Sequence, residues 1–279
     1  MAEQNVIEAI KSLRERTGAG MMDCKHALEA NDFDIEKSVD WLREKGIAKA
    51  AKRANRTAAE GLAAVKTCDK CGFGAIVEVN CETDFVSASD KFHEFANGAA
   101  AYVLENKPKT IEEAVEGVKL LQDNTALATG EKIAFRRFAL LQKTEEQGFG
   151  SYLHMGGKIG VLLVLAKKDD ELANQVAMHI AANAPEYITL DDVPASVRAR
   201  EKGVATAEVA ADPKLINKPE QVKAQIIERK VDKVLSQSCL AFQKWLLDES
   251  KTVDQLLKEK GNAVVSFIRY QVGEGIVAE

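Results

Sequence analysis

The chain has no apolar run near the ~18 residues that a membrane-spanning helix needs. Met1-Ala2-Glu3-Gln4 also lacks the charged start and apolar stretch of a signal peptide, so a cytoplasmic protein with no membrane contact is the expectation. Cysteine is sparse. Five residues, at 24, 68, 71, 81 and 239, form an odd, scattered set, which excludes a disulfide framework and fits a reducing compartment. Basic excess is missing as well: 38 Lys and Arg stand against 43 Asp and Glu, a net charge of -5, so no direct nucleic-acid binding is expected. No GxSxG, Walker A or GxGxxG motif occurs, and the four histidines, at 26, 93, 154 and 179, stand apart from any Ser or Cys nucleophile motif. Cys68-x-x-Cys71 is half of a zinc site with no second half at a useful spacing. No cofactor, no metal and no enzymatic bond chemistry has a visible carrier.

What is present supports a substantial core: 279 residues with 46% hydrophobic content. The periodicity predicts an α+β chain. Val6, Ile7, Ile10 and Leu13 recur at helical spacing; Thr17-Gly18-Ala19-Gly20 breaks that helix. A second helix carries Met21, Cys24 or Lys25, and Leu28; after the turn Asn31-Asp32-Phe33-Asp34, with Asp34 as cap, a third carries Ile35, Val39 and Leu42 and ends at Gly46. These three helices resemble a ubiquitin-associated (UBA) module. Its linker is basic, with Arg43, Lys45, Lys49, Lys52, Arg53 and Arg56, which reads either as a solvated helix or as a contact for an acidic partner surface.

From Gly61 the period changes to two: Leu62–Lys66 and Gly74–Val79 form a hairpin around Cys68–Gly72. A helix follows over Phe92, Phe95, Ala96, Ala99, Ala100, Val103 and Leu104, ending near Asn106. The plan recurs at an offset of roughly 86 residues, with strand Ile133–Leu141, a turn around Gly148-Phe149-Gly150, strands Ser151–His154 and Lys158–Ala166, and a helix over Leu172, Val176, His179 and Ile180. Ala-rich, charged helices then fold into a hairpin with too few large apolar residues for a globular core. A helix Val253–Lys260 and a strand Val264–Val272 follow. The expected organisation is therefore a UBA-like module and linker at 1–56, a core N-subdomain at 57–145, a core C-subdomain at 146–187 and 233–279 with a short C-terminus, and a protruding helical hairpin at 188–232 that serves dimerisation or braces a partner. The two subdomains repeat strand, turn, strand, helix.

Two places invite a partner. Met21 and Met22 are adjacent and point ~100° apart on a helix, so both cannot face the core, and an exposed methionine is an adaptable apolar contact. The second place is Asn80-Cys81-Glu82-Thr83-Asp84-Phe85-Val86-Ser87, between hairpin and helix. Either Phe85 packs beneath the helix as a staple, with Thr83 or Ser87 as cap, or Phe85 projects into another protein. Aligning Gly74 with Gly160 sets Asp84 against Asp170 but Phe85 against Glu171, so the aromatic belongs to the first copy only.

Several blocks then carry a resemblance. Leu13 to Lys25 (LRERTGAGMMDCK), Glu78 to Val86 (EVNCETDFV), Ser151-Tyr152-x-His154 with Gly156-Gly157-Lys158-Ile159-Gly160, Met178 to Ala182, and Phe267 to Ile276 are similar, in order, to the bacterial translation elongation factor Ts family. That resemblance implies a guanine nucleotide exchange factor for the GTPase elongation factor Tu. Thr83, Asp84, Phe85 and Val86 would intrude beside the partner's nucleotide and dislodge its magnesium; Met21, Met22 and Lys25 would dock on its nucleotide domain and His154 on its far domain. The family's Gln-Pro-Phe element appears here as Gln243-Lys244-Trp245, Thr129 stands where an apolar residue is usual, and only three residues follow Ile276, so a further C-terminal helix contact is expected to be missing. An adaptor holding a peptide on the UBA-like module, and an RNA binder using residues 43–56, are the competing functions.

Overall fold

The computed structural model describes residues 3–215 and 217–276. The fold is a mixture of helices and small sheets, α+β as expected. Three helices open it: α1 (Glu3–Thr17), α2 (Met21–Ala30) and α3 (Ile35–Arg53). Leu13, Cys24, Ala27, Leu28 and Leu42, each at most 1% exposed, form their core. Asp34 caps α3 through the Lys37 amide, as expected, and the buried Ser38 hydroxyl ties α3 to the carbonyl of Ala27 at 3.2 Å. Two expectations need correcting. The third helix does not end at Gly46 but continues to Arg53. Gly46 has no positive φ, so it lacks the left-handed backbone of a glycine stop, and a β-carbon there would sit at ordinary contact distance, 3.5 Å, from Leu127. Met21 is also off the buried stripe: Cys24, Ala27 and Leu28 make that stripe, and fully buried Ala19 fills the place beneath the helix start.

Strand β1 (Glu60–Cys68) pairs antiparallel with β2 (Phe73–Cys81), in register from Glu60 opposite Cys81 to Cys68 opposite Phe73. There follow the one-turn helix α4 (Asp84–Ser87), then α5 (Asp90–Asn106), α6 (Ile111–Thr129) and β3 (Ala134–Gln142). The sheet order is β1-β2-β3, so β2 is central and buried along nearly its whole length. Helix α5 buries the expected stripe from Phe92 to Val103, with Leu104 only partly buried. Helix α6 has no counterpart in the expected plan, although Thr110 caps its start and left-handed Gly130 its end. Consequently the strand expected to open the second copy is β3, the third strand of the first sheet, hydrogen-bonded to β2.

The remainder comprises β4 (Gly148–His154), a 3-10 turn at Met155–Gly157, β5 (Ile159–Leu165), α7 (Asp170–Asn183), α8 (Ala195–Ala211), α9 (Glu220–Gln237), β6 (Lys244–Trp245), β7 (Asp248–Thr252), α10 (Val253–Glu259) and β8 (Val264–Gln271). A second sheet runs β4-β5-β8, and β6-β7 form a two-stranded ribbon. Gly148-Phe149-Gly150 is strand, not turn. A β-carbon at Gly150 would meet the Ala173 carbonyl at 2.5 Å, so this glycine lets β4 press onto α7. Helices α8 and α9 do share a core, of Ala205, Val231 and Leu235 with Val193 and Cys239, flanked by ion pairs Arg198–Asp232 (3.0 Å) and Lys230–Glu208 (2.7 Å). Small residues such as Ala205 let the two helices of the expected hairpin approach closely. Where the sequence has Gln243-Lys244-Trp245, Trp245 is buried and stacks on His179 with centroids 5.3 Å apart.

By compactness the chain divides into one unit of Met1–Gln142, Leu153–Leu162 and Tyr270–Glu279, and another of Lys143–Tyr152 and Leu163–Arg269. In the first unit, the carboxylate of Glu78 is fully buried. It accepts hydrogen bonds from Arg136 (2.7 Å), Arg137 (2.5 Å), Asn80 Nδ2 (3.2 Å) and the Gly273 amide (2.9 Å). Burial pushes its pKa up, but the bonds from Gly273 and the two arginines outweigh burial and hold it below the ordinary glutamate value.

Candidate partner-binding site

The four residues from Thr83 to Val86 divide into two kinds. Thr83 is the N-cap of α4: its backbone is extended and its hydroxyl accepts the Val86 amide at 3.3 Å. Val86 turns inward and packs on the core beneath the first sheet. Asp84 and Phe85 face out. The Asp84 carboxylate accepts its neighbour's amide (Phe85 N, 2.9 Å), and the Phe85 ring is 85% exposed. The staple alternative fails because Ser89 caps α5 instead, accepting the Phe92 amide, and Phe92 and Phe95 already occupy the space under that helix.

An exposed phenylalanine on a four-residue helix would be costly to hold still without support, and the support is visible. The Glu131 carboxylate, just past the end of α6, accepts the amides of Glu82 and Thr83, both at 3.0 Å, and the Thr83 hydroxyl at 2.6 Å. Glu82 reciprocates by accepting the Lys132 amide at 2.7 Å, and it pairs with Arg56 at 3.2 Å. At the other end of the turn the Lys158 ammonium reaches the Ser87 hydroxyl (3.2 Å), the Gly61 carbonyl (3.3 Å) and the Glu60 carboxylate (2.5 Å). Lys158 can sit there because β5 lies against β1 at Gly160, where a β-carbon would come within 2.7 Å of Ala63 Cβ. The tip is therefore braced at both ends of its turn, the arrangement a projecting contact residue requires.

The other expected residues are exposed too. Met21 and Met22 are each 58% exposed at the start of α2, and Lys25 lies a turn later, 3.7 Å from Glu29. The turn before α2 and the tip line one open cleft of about 420 Å³, shared by Arg14, Gly18, Phe85, Val86, Lys91 and Thr129. Within it the Thr129 hydroxyl is occupied by the Thr125 carbonyl at 2.8 Å. His154 is exposed at the end of β4, between exposed Leu153 and Met155. Of the basic linker, Arg56 is engaged with Glu82 and Lys45 lies over the Trp41 ring; the side chains of Lys49 and Lys52 lie outside the described residues.

Comparison with known proteins bears on what this tip belongs to. The family model described as elongation factor TS matches residues 82–274. The curated elongation factor Ts of Limosilactobacillus reuteri (strain DSM 20016) is 44% identical over 283 residues, covering 99% of this chain and 94% of that protein; that of L. reuteri subsp. reuteri (strain JCM 1112) matches equally. The chain belongs to the elongation factor Ts family.

Membership of the elongation factor Ts family makes it a translation elongation factor. The family match starts at Glu82 and spans the tip, Glu131, His154 and Lys158. Two of the bracing residues, Glu131 and Lys158, were not among the candidate site residues. Each had a local signal: Glu131 follows the glycine that ends α6, and Lys158 sits inside a Gly-Gly-Lys-Ile-Gly run whose glycines mark close packing. What spacing does not give is their target, since Thr83 lies 48 residues from Glu131 and Ser87 lies 71 from Lys158.

Proposed function

We propose that this protein is the guanine nucleotide exchange factor for elongation factor Tu, acting in the cytoplasm on the GDP-bound GTPase. The observation that carries the reading is the outward-facing Asp84–Phe85 pair on a turn braced at both ends, with Phe85 85% exposed. In this reading the UBA-like helices α1–α3 dock through Met21, Met22 and Lys25, and the second of two related subdomains docks through His154. The tip from Thr83 to Val86 enters beside the partner's nucleotide site. Thr83 and Val86 hold the turn; Asp84 and Phe85 displace partner elements and dislodge its magnesium. The GDP phosphates then lose their main charge compensation, and GDP leaves so that GTP can bind. The 188–232 hairpin pairs two copies or braces the GTPase.

No bond is made or broken by the factor. It binds the nucleotide-free GTPase more tightly than the GDP form, and by reciprocity GDP weakens the complex by the same factor. Burying a phenylalanine is worth ~1.5–3 kcal/mol. Wide docking surfaces therefore supply the affinity, and the tip spends part of it on distortion. The test is release of a fluorescent GDP analogue from elongation factor Tu. Acceleration is expected, and Asp84→Ala and Phe85→Ala are expected to slow release more than they weaken binding. No acceleration by the intact protein would refute the function; an unchanged rate in both variants would refute the role of the tip.

A further inference from the structure

At the other end of the β1–β2 hairpin from the partner-binding tip lies a second chemically distinct feature. Cys68 closes β1 and Cys71 sits on the turn, whose backbone is drawn tight by the Gly72 amide on the Cys68 carbonyl at 3.0 Å. The Cys71 amide donates to Cys68 Sγ at 3.1 Å, and Cys71 Sγ donates to the Cys68 carbonyl at 3.5 Å, so the two thiols share one turn. Both are unpaired; Cys71 is exposed and Cys68 partly so. The other three cysteines, 24, 81 and 239, are fully buried, and burial pushes each of their thiols up, Cys81 to about 12. Cys71 moves the other way, held below the ordinary thiol value chiefly by the Cys68 thiol beside it, with the Lys107 ammonium adding to the effect. Lys107 is fixed close by, 4.6 Å over the ring of Phe73. Among the described residues no group of three or more His, Cys, Asp and Glu side chains able to hold a metal ion occurs, so the pair lacks the further ligands a structural zinc needs.

We infer that Cys68 and Cys71 form a reversible dithiol–disulfide site that reacts with low-molecular-weight disulfides, the only accessible thiol pair among the described cysteines. The Cys71 thiolate attacks one sulfur of the small disulfide. A Cys71–S–S–R bond forms, the reagent's S–S bond breaks, and one thiolate leaves. Cys68, surrendering its proton to solvent, then attacks the Cys71 sulfur, and the second small thiolate leaves as the Cys68–Cys71 bond forms. Two protein thiols are oxidised by two electrons, one small disulfide is reduced to two thiols, and the two protons lost by the protein end on them. A thiol reductant reverses the sequence. The pair is separated from the tip by the length of the hairpin, roughly 27 Å for eight residues of strand, so the modification is read by chemistry and not by activity.

The full chain is incubated with glutathione disulfide, quenched with acid, alkylated and digested with trypsin. Lys70 lies between the two cysteines, so cleavage leaves peptides 67–70 and 71–91 joined only by the new bond; peptide 71–91 also holds Cys81, which fragmentation of the joined pair should show alkylated. The expected result is that joined pair, lighter by two hydrogens, with Cys71 modified at least roughly 100-fold faster than Cys24, Cys81 or Cys239, which react only on opening. Cys68→Ser should instead accumulate a glutathione mixed disulfide on Cys71, and Cys71→Ser should accumulate no joined pair. The inference is overturned if Cys71 reacts no faster than the buried cysteines, if the wild-type chain keeps the mixed disulfide as Cys68→Ser does, or if the joined peptides come from a covalent dimer on a non-reducing gel.

Discussion

Replacing Glu131 by alanine asks whether the tip is rigid because of its brace. The carboxylate receives two backbone amides at 3.0 Å and one hydroxyl at 2.6 Å. A hydrogen bond to a charged group contributes a net ~1.5–3 kcal/mol, but these three share one acceptor at a partly exposed site where water can replace some of them. A joint loss of about 2–3 kcal/mol follows, which is a roughly 30- to 150-fold rise in local opening. The helix core of α4 is spared, because Ser87 N still bonds Thr83 O (3.2 Å) and Ala88 N still bonds Asp84 O (3.0 Å). Glu131→Gln keeps a carbonyl oxygen for the two amides but turns an NH2 toward the Thr83 hydroxyl, so its effect should be nearer tenfold. The assay is amide hydrogen exchange at Glu82 and Thr83, with buried Val77 as internal reference. A rise under about threefold in the alanine variant would refute the reasoning and leave the tip held by its own backbone bonds.

Phe85→Ala should leave stability within about 0.5 kcal/mol, because an 85%-exposed ring loses little on unfolding, while slowing nucleotide release about tenfold; a matching fall in urea midpoint would contradict this. Gly160→Ala should cost about 1–3 kcal/mol by forcing β5 off Ala63, measured by urea unfolding. Glu78 has a lowered folded pKa, so its contribution is complete above the unfolded value near pH 4.3 and is lost as pH falls through the folded one. Thermal scans from pH 6 to 3 should show an acid loss that Glu78→Gln flattens while costing about 2–3 kcal/mol at pH 7. Burial lowers the pKa of His179, with the Gln243 bond opposing, so its contribution is complete above the unfolded value near pH 6.5 and stability should likewise decline as pH falls below it, followed by Trp245 fluorescence.

Local signals in the sequence carried the helices with clean stripes. Phe92 to Val103 and the Asp34 cap could be read residue by residue, because their cause lies within four positions of themselves. Errors came at glycines. Gly150 looks like punctuation, yet it is the place where α7 comes close at Ala173; Gly46 looks like a helix stop but lacks the left-handed backbone of one. The site divides in the same way. Phe85 was visible as an anomaly because the buried stripe was already full without it, whereas Glu131 and Lys158 act across 48 and 71 residues, a pairing no periodicity encodes.

The two strand-to-helix connections show how the tip is built. Strand β5 ends at Leu165 and α7 begins at Asp170, capped directly by Asp169, which accepts the Leu172 amide at 3.0 Å. Strand β2 ends at Cys81 and α5 begins only at Asp90, and the added length is the four-residue α4. A short connection needs one cap; the longer one needs Thr83 and Ser89 as successive caps and two outside charges, Glu131 and Lys158, because a single turn of helix does not hold itself. If the inserted turn is a contact element and not a loop of no consequence, shortening it by removing residues 84–87 should leave the β2–α5 core folded, since the shorter connection already spans the same junction in the second sheet. It should also abolish acceleration of GDP release. Loss of cooperative unfolding in that variant would mean that α4 is structural, and the tip would then have to be tested by side-chain replacement alone.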